Sequence, residues 1–188
     1  MNTNINVGLI AIIVIVIFLI LMVVGIYNSL VRQNEMVANA MSQIATQLQS
    51  RWDALNNLID ATKDYADFES RTFEQITRNR TGIDRNSTPA QVADEENQFK
   101  HALSSFYAVA ENYPNLKTSD IYRQTMDSIN KYEDNVRHSR MIYNDTVTSF
   151  NRYIKSFPQT IFAGMFGYQE KDYFKNEEPT NQAPKWNA

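Results

Sequence analysis

From Val7 to Ile26 the chain carries no charged or strongly polar side chain. At 1.5 Å rise per residue, about 20 apolar residues match a hydrocarbon core of roughly 30 Å. Few fates suit such a run. A buried core helix is disfavoured, because Ile and Val cover every face. A secretory signal would want a cationic start and an apolar stretch of only about 7–15 residues. Residues 1–6 read MNTNIN, without lysine or arginine, and the apolar run is longer than that. Val23-Val24-Gly25 is a passable small-residue cleavage site, so cleavage remains the alternative. The expectation is a short polar N-terminus (1–6) followed by a transmembrane helix (7–26).

The next residues contain no stop signal. Asn28 would need Glu or Gln at Val31 to form a capping box, and Ser29 would need one at Arg32. Asn28 and Ser29 each weaken a helix by only tenths of a kcal/mol, on the order of other indifferent residues. The membrane helix is therefore expected to run unbroken through Tyr27-Asn28-Ser29-Leu30-Val31. Lys and Arg near each end set orientation. Arg32 stands alone on the C-terminal side, against no basic residue on the N-terminal side. This predicts an outside N-terminus and a cytoplasmic domain in the cell membrane.

Beyond the span, apolar residues recur three and four apart. Tyr27, Leu30 and Val31 lead into Val37, Met41, Ile44, Leu48, Trp52, Leu55 and Ile59, the spacing of packed helices. The stripe loosens through Tyr65, Phe68, Phe73 and Ile76 and stops near Gly82. Thr88-Pro89-Ala90-Gln91 then reads as a helix start with a capping box and proline at the first helical position. Val92, Phe99, Leu103, Phe106, Ala110 and Tyr113 form the next stripe, ended by Pro114. After a cap at Thr118 or Ser119, a third helix carries Tyr122, Met126, Ile129, Val136, Tyr143, Val147, Phe150, Ile154 and Phe157 on one face, and Pro158 stops it. No strand pattern is visible. The predicted fold is all-α: an antiparallel helical bundle over 27–157, of three to four long helices, continuing from the transmembrane helix. Residues 27–80 are either one helix of about 80 Å or two pieces broken between Trp52 and Phe68. Helices 89–112 and 119–156 would span about 36 and 57 Å.

The apolar and aromatic segment 158–175 is expected to pack back across the end of the bundle. The alternative is that Ile161–Phe174 lies in the membrane interface, where aromatics with Lys171 and Lys175 would be at home. Residues 176–188 are polar, contain proline and are expected to be disordered.

Little in the sequence points to chemistry. Net charge is −3, from 18 basic and 21 acidic residues, without the basic face that a nucleic-acid binder needs. There is no cysteine, which removes disulfides, thiolate metal sites, thiol nucleophiles and a lipidated N-terminal cysteine. A di-iron bundle wants two Glu-x-x-His pairs, but Gln98 precedes His101 and Asn135 precedes His138 at that spacing. Asp134 and His138 are placed to pair on a helix surface. No G-x-S-x-G or phosphate loop occurs. Asp94, Glu95 and Glu96 are read as complementing the helix dipole. No catalytic residue, cofactor or metal site is expected. The candidate partner-binding face is Tyr143, Asn144, Asp145, Arg152 and Tyr153, since Tyr and Arg are favoured interface anchors. The competing account is a bundle seam whose polar groups fix register.

These residues together resemble the LemA family, bacterial membrane-anchored helical proteins. The matching pieces run from Tyr27-Asn28-Ser29-Leu30-Val31 through Ala40, Ser42-Gln43-Ile44, Gln47-Leu48, Arg51, Asp53, Asn57-Leu58 and Lys63-Asp64-Tyr65-Ala66. A second block is Glu96-Asn97-Gln98, Leu103, Phe106, Ala108-Val109 and Tyr113-Pro114. A third is Tyr143-Asn144-Asp145, Tyr153, Phe157-Pro158, Phe166-Gly167-Tyr168 and Tyr173-Phe174. The family typically has proline where this chain has Asn56, which argues against a sharp kink there. The resemblance implies a helical bundle behind one membrane helix and a poorly defined molecular function. It also implies links to membrane quality-control proteases and to a second small membrane-associated domain. A membrane-tethered, non-enzymatic adaptor or scaffold is the expected function, with the lipid bilayer and another membrane protein as partners. The alternatives are a metal-dependent enzyme using helix carboxylates and a homo-oligomeric structural protein of the envelope.

Overall fold

The computed structural model describes residues 2–62, 82–111 and 113–175. These form five helices: α1 (Asn2–Thr62), α2 (Pro89–Glu111), α3 (Pro114–Lys117), α4 (Asp120–Lys155) and α5 (Gln159–Met165). No strand occurs among the described residues. The fold is all-α.

Helix α1 has 61 residues and is unbroken from the apolar run into the bundle. It is about 90 Å long at 1.5 Å per residue. It passes through Trp52 and Asn56 without a break. The alternative break at Asp64–Phe68 and the tail 176–188 lie outside the described residues. From Val7 to Leu21 the side chains of α1 are exposed all round, and the other described residues of the chain leave this segment uncovered. It is long and apolar enough to cross a membrane.

Past the run, one face of α1 is buried: Ile26, Leu30, Val37, Met41, Ile44, Leu48, Trp52, Leu55 and Ile59. The seam begins on Ile26 and Leu30, while Tyr27 and Val31 flank it and stay exposed. Burying each large aliphatic side chain contributes about 1.5–3 kcal/mol, which makes this seam the main source of cohesion. Helix α4 runs antiparallel along it. Asn135 Nδ2 donates to Gln47 Oε1 at 3.1 Å, and Arg51 reaches back to Glu133. Helix α2 instead runs parallel to α1, because Arg85 pairs with Glu35 before α2 begins, Phe99 meets Trp52, and Ala110 shares a cluster with Leu58. Residues 63–81, which join α1 to α2, lie outside the described residues, so α1 and α2 are not a pair that tests the expected antiparallel order of successive helices.

The ends of the helices follow local chemistry. Thr88 and Gln91 form the reciprocal capping box: Thr88 N–H donates to Gln91 Oε1 at 2.8 Å and Gln91 N–H to Thr88 Oγ1 at 3.3 Å. Ser119 caps α4, its Oγ accepting from Tyr122 N–H at 3.3 Å. Pro114 ends one helix and opens the single turn of α3, which the sequence pattern did not announce. At Gly167, φ is +75°, and the Tyr168 N–H reaches the Ala163 carbonyl at 2.9 Å. This is a left-handed helix end that suits glycine. The chain then turns back, and residues 168–175 run along α4.

Two clusters make the core. The one nearer the apolar run joins Ile26–Leu48 of α1 to Val136–Ile154 of α4, with Val92, Ala163 and Phe174. The farther one joins Trp52–Ile59 to Phe99–Ala110, Leu116 and Ile129. Phe157, expected on the buried stripe of α4, is 80% exposed instead. Helix α4 ends at Lys155 and Ser156 is extended, so the helical period no longer applies at Phe157.

Candidate functional site

Three helices meet at a buried charge knot. Arg51 lies on the core face of α1, 1% exposed, with Glu95 of α2 equally buried. Arg51 Nη2 stands 3.3 Å from Glu95 Oε2, and Nη1 stands 2.7 Å from Glu133 Oε1 of α4. The Trp52 indole N–H donates to Glu95 Oε1. The guanidinium lies over the Phe99 ring, 3.9 Å from its centroid, and that ring meets Trp52 edge-on at 5.1 Å. A buried charge survives only when paired and hydrogen-bonded, and here each group fixes the others. One α2 turn face adds Glu96, which pairs with Arg140 of α4. Glu95 and Glu96 are therefore interhelical partners seven and eight residues into the helix vicinity, beyond the first turn where dipole effects act. This corrects the dipole account. Likewise Asp134 pairs with Arg137 at 3.5 Å, rather than with His138.

Among the described residues, no three His, Asp or Glu side chains stand together as a metal site.

The face centred on Tyr143 divides in two. Tyr143 is 3% exposed and meets the Phe174 ring edge-on at 5.0 Å. Burial, and then the nearby Asp172 carboxylate, push its phenol from 10.0 up to about 12. A phenol raised on folding favours the folded state at lower pH, and that contribution is lost as pH climbs from about 10 to about 12. Asn144 is half-buried and holds the C-terminal segment: its Nδ2 donates to the Phe174 carbonyl at 3.0 Å and its Oδ1 accepts from the Phe174 N–H at 2.9 Å. Asn151 repeats this two turns on. Its Nδ2 donates to the Lys171 carbonyl at 2.9 Å and its Oδ1 accepts from the Lys171 N–H at 2.9 Å. Asp145 and Arg152 face solvent, and Tyr153 is half-buried against the core. The structure thus places Tyr143 and Asn144 inside the fold and leaves Asp145 and Arg152 on its surface. An open cleft beside Tyr143 is walled by Asn34, Arg85, Asn86, Ser87 and Lys171.

In the sequence Asn151 reads, with Asn144, as a polar group of a bundle seam; its grip on the C-terminal segment is what the structure adds. Its signal is the seven-residue spacing from Asn144, which places both amides on one side of α4. Replacing both with Ala should release residues 171–174. Each lost hydrogen bond costs roughly 0.5–1.5 kcal/mol net. The Lys171 and Phe174 amides should then exchange with solvent much faster, as amide exchange in the full chain would report. Unchanged protection would mean that Phe174 packing alone holds the segment.

The model of the LemA family matches residues 40–187, which takes in the knot, both asparagines and the clamped segment. The chain belongs to the LemA family. Among LemA relatives, the chain is 32% identical over 138 residues to Protein LemA of Metamycoplasma hominis, covering 71% of this chain and 62% of that protein. It is 24% identical over 184 residues to Magnetosome protein MamQ 2 of Paramagnetospirillum magneticum, covering 84% of this chain and 67% of that one. Against Magnetosome protein MamQ of Magnetospirillum gryphiswaldense the identity is 22% over the same shares. The LemA-family chain therefore spans about two thirds of the length of these relatives.

Proposed function

We propose that this chain is a membrane-tethered helical adaptor or scaffold, with α1 crossing the bilayer and the bundle serving as a docking body for another membrane protein. The observation that carries this is α1 itself: one uninterrupted helix whose first part is exposed and apolar all round and whose later part is a core element. A docking surface so mounted is held at a fixed angle to the membrane. The charge knot supports the same reading, since it ties α1, α2 and α4 together. Membership of the LemA family, with its implied links to membrane quality-control proteases, supports a partner of that kind.

The bundle is assigned to the cytoplasm, on Arg32 against no basic residue at the N-terminal side. Crosslinking in native membranes followed by capture of the chain should yield one heterologous membrane protein in constant proportion. A ladder of self-adducts would replace the adaptor with a homo-oligomeric envelope element, and stoichiometric transition metal in the purified chain would favour an enzyme. Protease added to intact cells, or to spheroplasts where there is an outer membrane, should leave residues 40–175 uncut. Ready digestion of the bundle would reverse the orientation.

A further inference from the structure

The apolar run and the bundle overlap in height. Ile26, the last residue of the run, is 6% exposed, and Met22, one turn earlier, packs against the same core cluster. The elements at that end are the C-terminus of α4 and α5, through Ile154, Phe162 and Ala163. Tyr27 meets Phe166 edge-on with centroids 5.0 Å apart. If Val7–Ile26 fill a hydrocarbon core of roughly 30 Å, Tyr27 stands at its boundary with the headgroups, and so does whatever touches Tyr27.

What stands there is apolar on its outer side. Ile161 and Met165, four residues apart on α5, are 52% and 72% exposed, and Phe157, in the connection just before α5, is 80% exposed. Their neighbours Phe162 and Ala163 face the core. From Ser156 to Gln169 there is no charged side chain. In water this corner would be an unexplained apolar patch on the end of a well-packed bundle. In the boundary between headgroups and acyl chains, where amphipathic segments bury one face by about 5–10 Å, it has a natural solvent.

We propose that the α4–α5 corner is a second membrane contact, in which Phe157, Ile161 and Met165 seat in the leaflet from which α1 emerges. The occupant of this face is bilayer lipid, because the face shares its height with the end of the span and is continuous with it through Tyr27 and Phe166. The inference rests on α1 crossing the membrane, and its test separates the two.

The chain has no cysteine, so single nitroxide labels can be placed cleanly on the full-length protein. Phe157→Cys, Ile161→Cys and Met165→Cys are compared with Phe18→Cys in the span and with Met141→Cys, which is 61% exposed on the side of α4. Each is reconstituted in phosphatidylcholine nanodiscs at one chain per disc. The ratio of collisions with oxygen to collisions with a water-soluble nickel chelate should be several-fold higher at 157, 161 and 165 than at 141, and highest at 18. A ratio at 161 and 165 equal to that at 141, with Phe18 deep, would overturn the second contact and leave the span standing. A water-exposed label at Phe18 would overturn both. In vesicles of the same lipid at high protein density, dipolar broadening at 161 that vanishes on dilution with unlabelled chain would show a second copy seated on this face, and would overturn the lipid assignment.

Discussion

Arg51→Ala should lower the unfolding free energy of the bundle by roughly 3–5 kcal/mol, the range seen when one partner of a buried ion pair is removed. Glu95 is the reason. Its carboxylate is buried as deeply as Arg51, and the variant removes the guanidinium that stands 3.3 Å from it, in an interior that solvates charge poorly. The Trp52 indole N–H still donates to it, which softens the loss. Glu133 contributes less, since its side chain is 40% exposed and water can take over. Replacing the pair together, as Arg51→Met with Glu95→Gln, should recover much of the lost stability, because a buried pair is worth little against well-packed neutral groups. Guanidinium unfolding of the full chain in detergent, followed by near-ultraviolet circular dichroism, measures both. A single-variant loss within about 1 kcal/mol would mean that water enters the knot freely, against the burial seen here.

Phe99→Ala is expected to have an effect of similar size, about 3–5 kcal/mol, as for other fully buried aromatics truncated to Ala. Phe99 is 0% exposed and serves two neighbours at once, the Trp52 ring at its edge and the Arg51 guanidinium over its face. Losing it opens a cavity beside a buried charge. The two truncations should not add: each removes part of what the other supports, and residues in direct contact couple by about 0.5–3 kcal/mol. The Phe99→Ala/Arg51→Ala double variant should therefore lose measurably less than the sum of the singles. Strict additivity would place Phe99 outside the knot's energetics.

The helical frame was legible in the sequence because its signals are local and periodic. Thr88 with Gln91 announced the start of α2, Ser119 the start of α4, and the phase running unbroken past Asn28 announced a junction without a loop. The knot was hidden by the same logic. Arg51 and Glu95 sit in phase with the apolar stripes, three or four residues from Leu48, Leu55, Val92 and Phe99, but a charged side chain is ordinarily read as surface. Opposite charges at core positions of two stripes are the signal that could have paired them. Phe157 failed for a different reason: the period was carried past the end of α4, where the backbone no longer obeys it. The Asn144 and Asn151 partners were not legible at all, because residues 168–175 are extended and carry no period to align with α4.

Asn144 and Asn151 hold the C-terminal strap chiefly by its main-chain atoms, with one longer reach from Asn151 Nδ2 to the Tyr173 hydroxyl at 3.5 Å, and at Lys171 this leaves the choice of side chain open. At Lys171 the docking address is written on α4, while at Phe174 it is also written on the strap, through the ring packed against Tyr143. At 171 the side chain is exposed, and any residue able to offer an N–H and a carbonyl would be held equally well. Proline is the exception, since it has no N–H to give. The strap could therefore diversify its outward chemistry over evolutionary time without coming loose, offering new surfaces from an old latch.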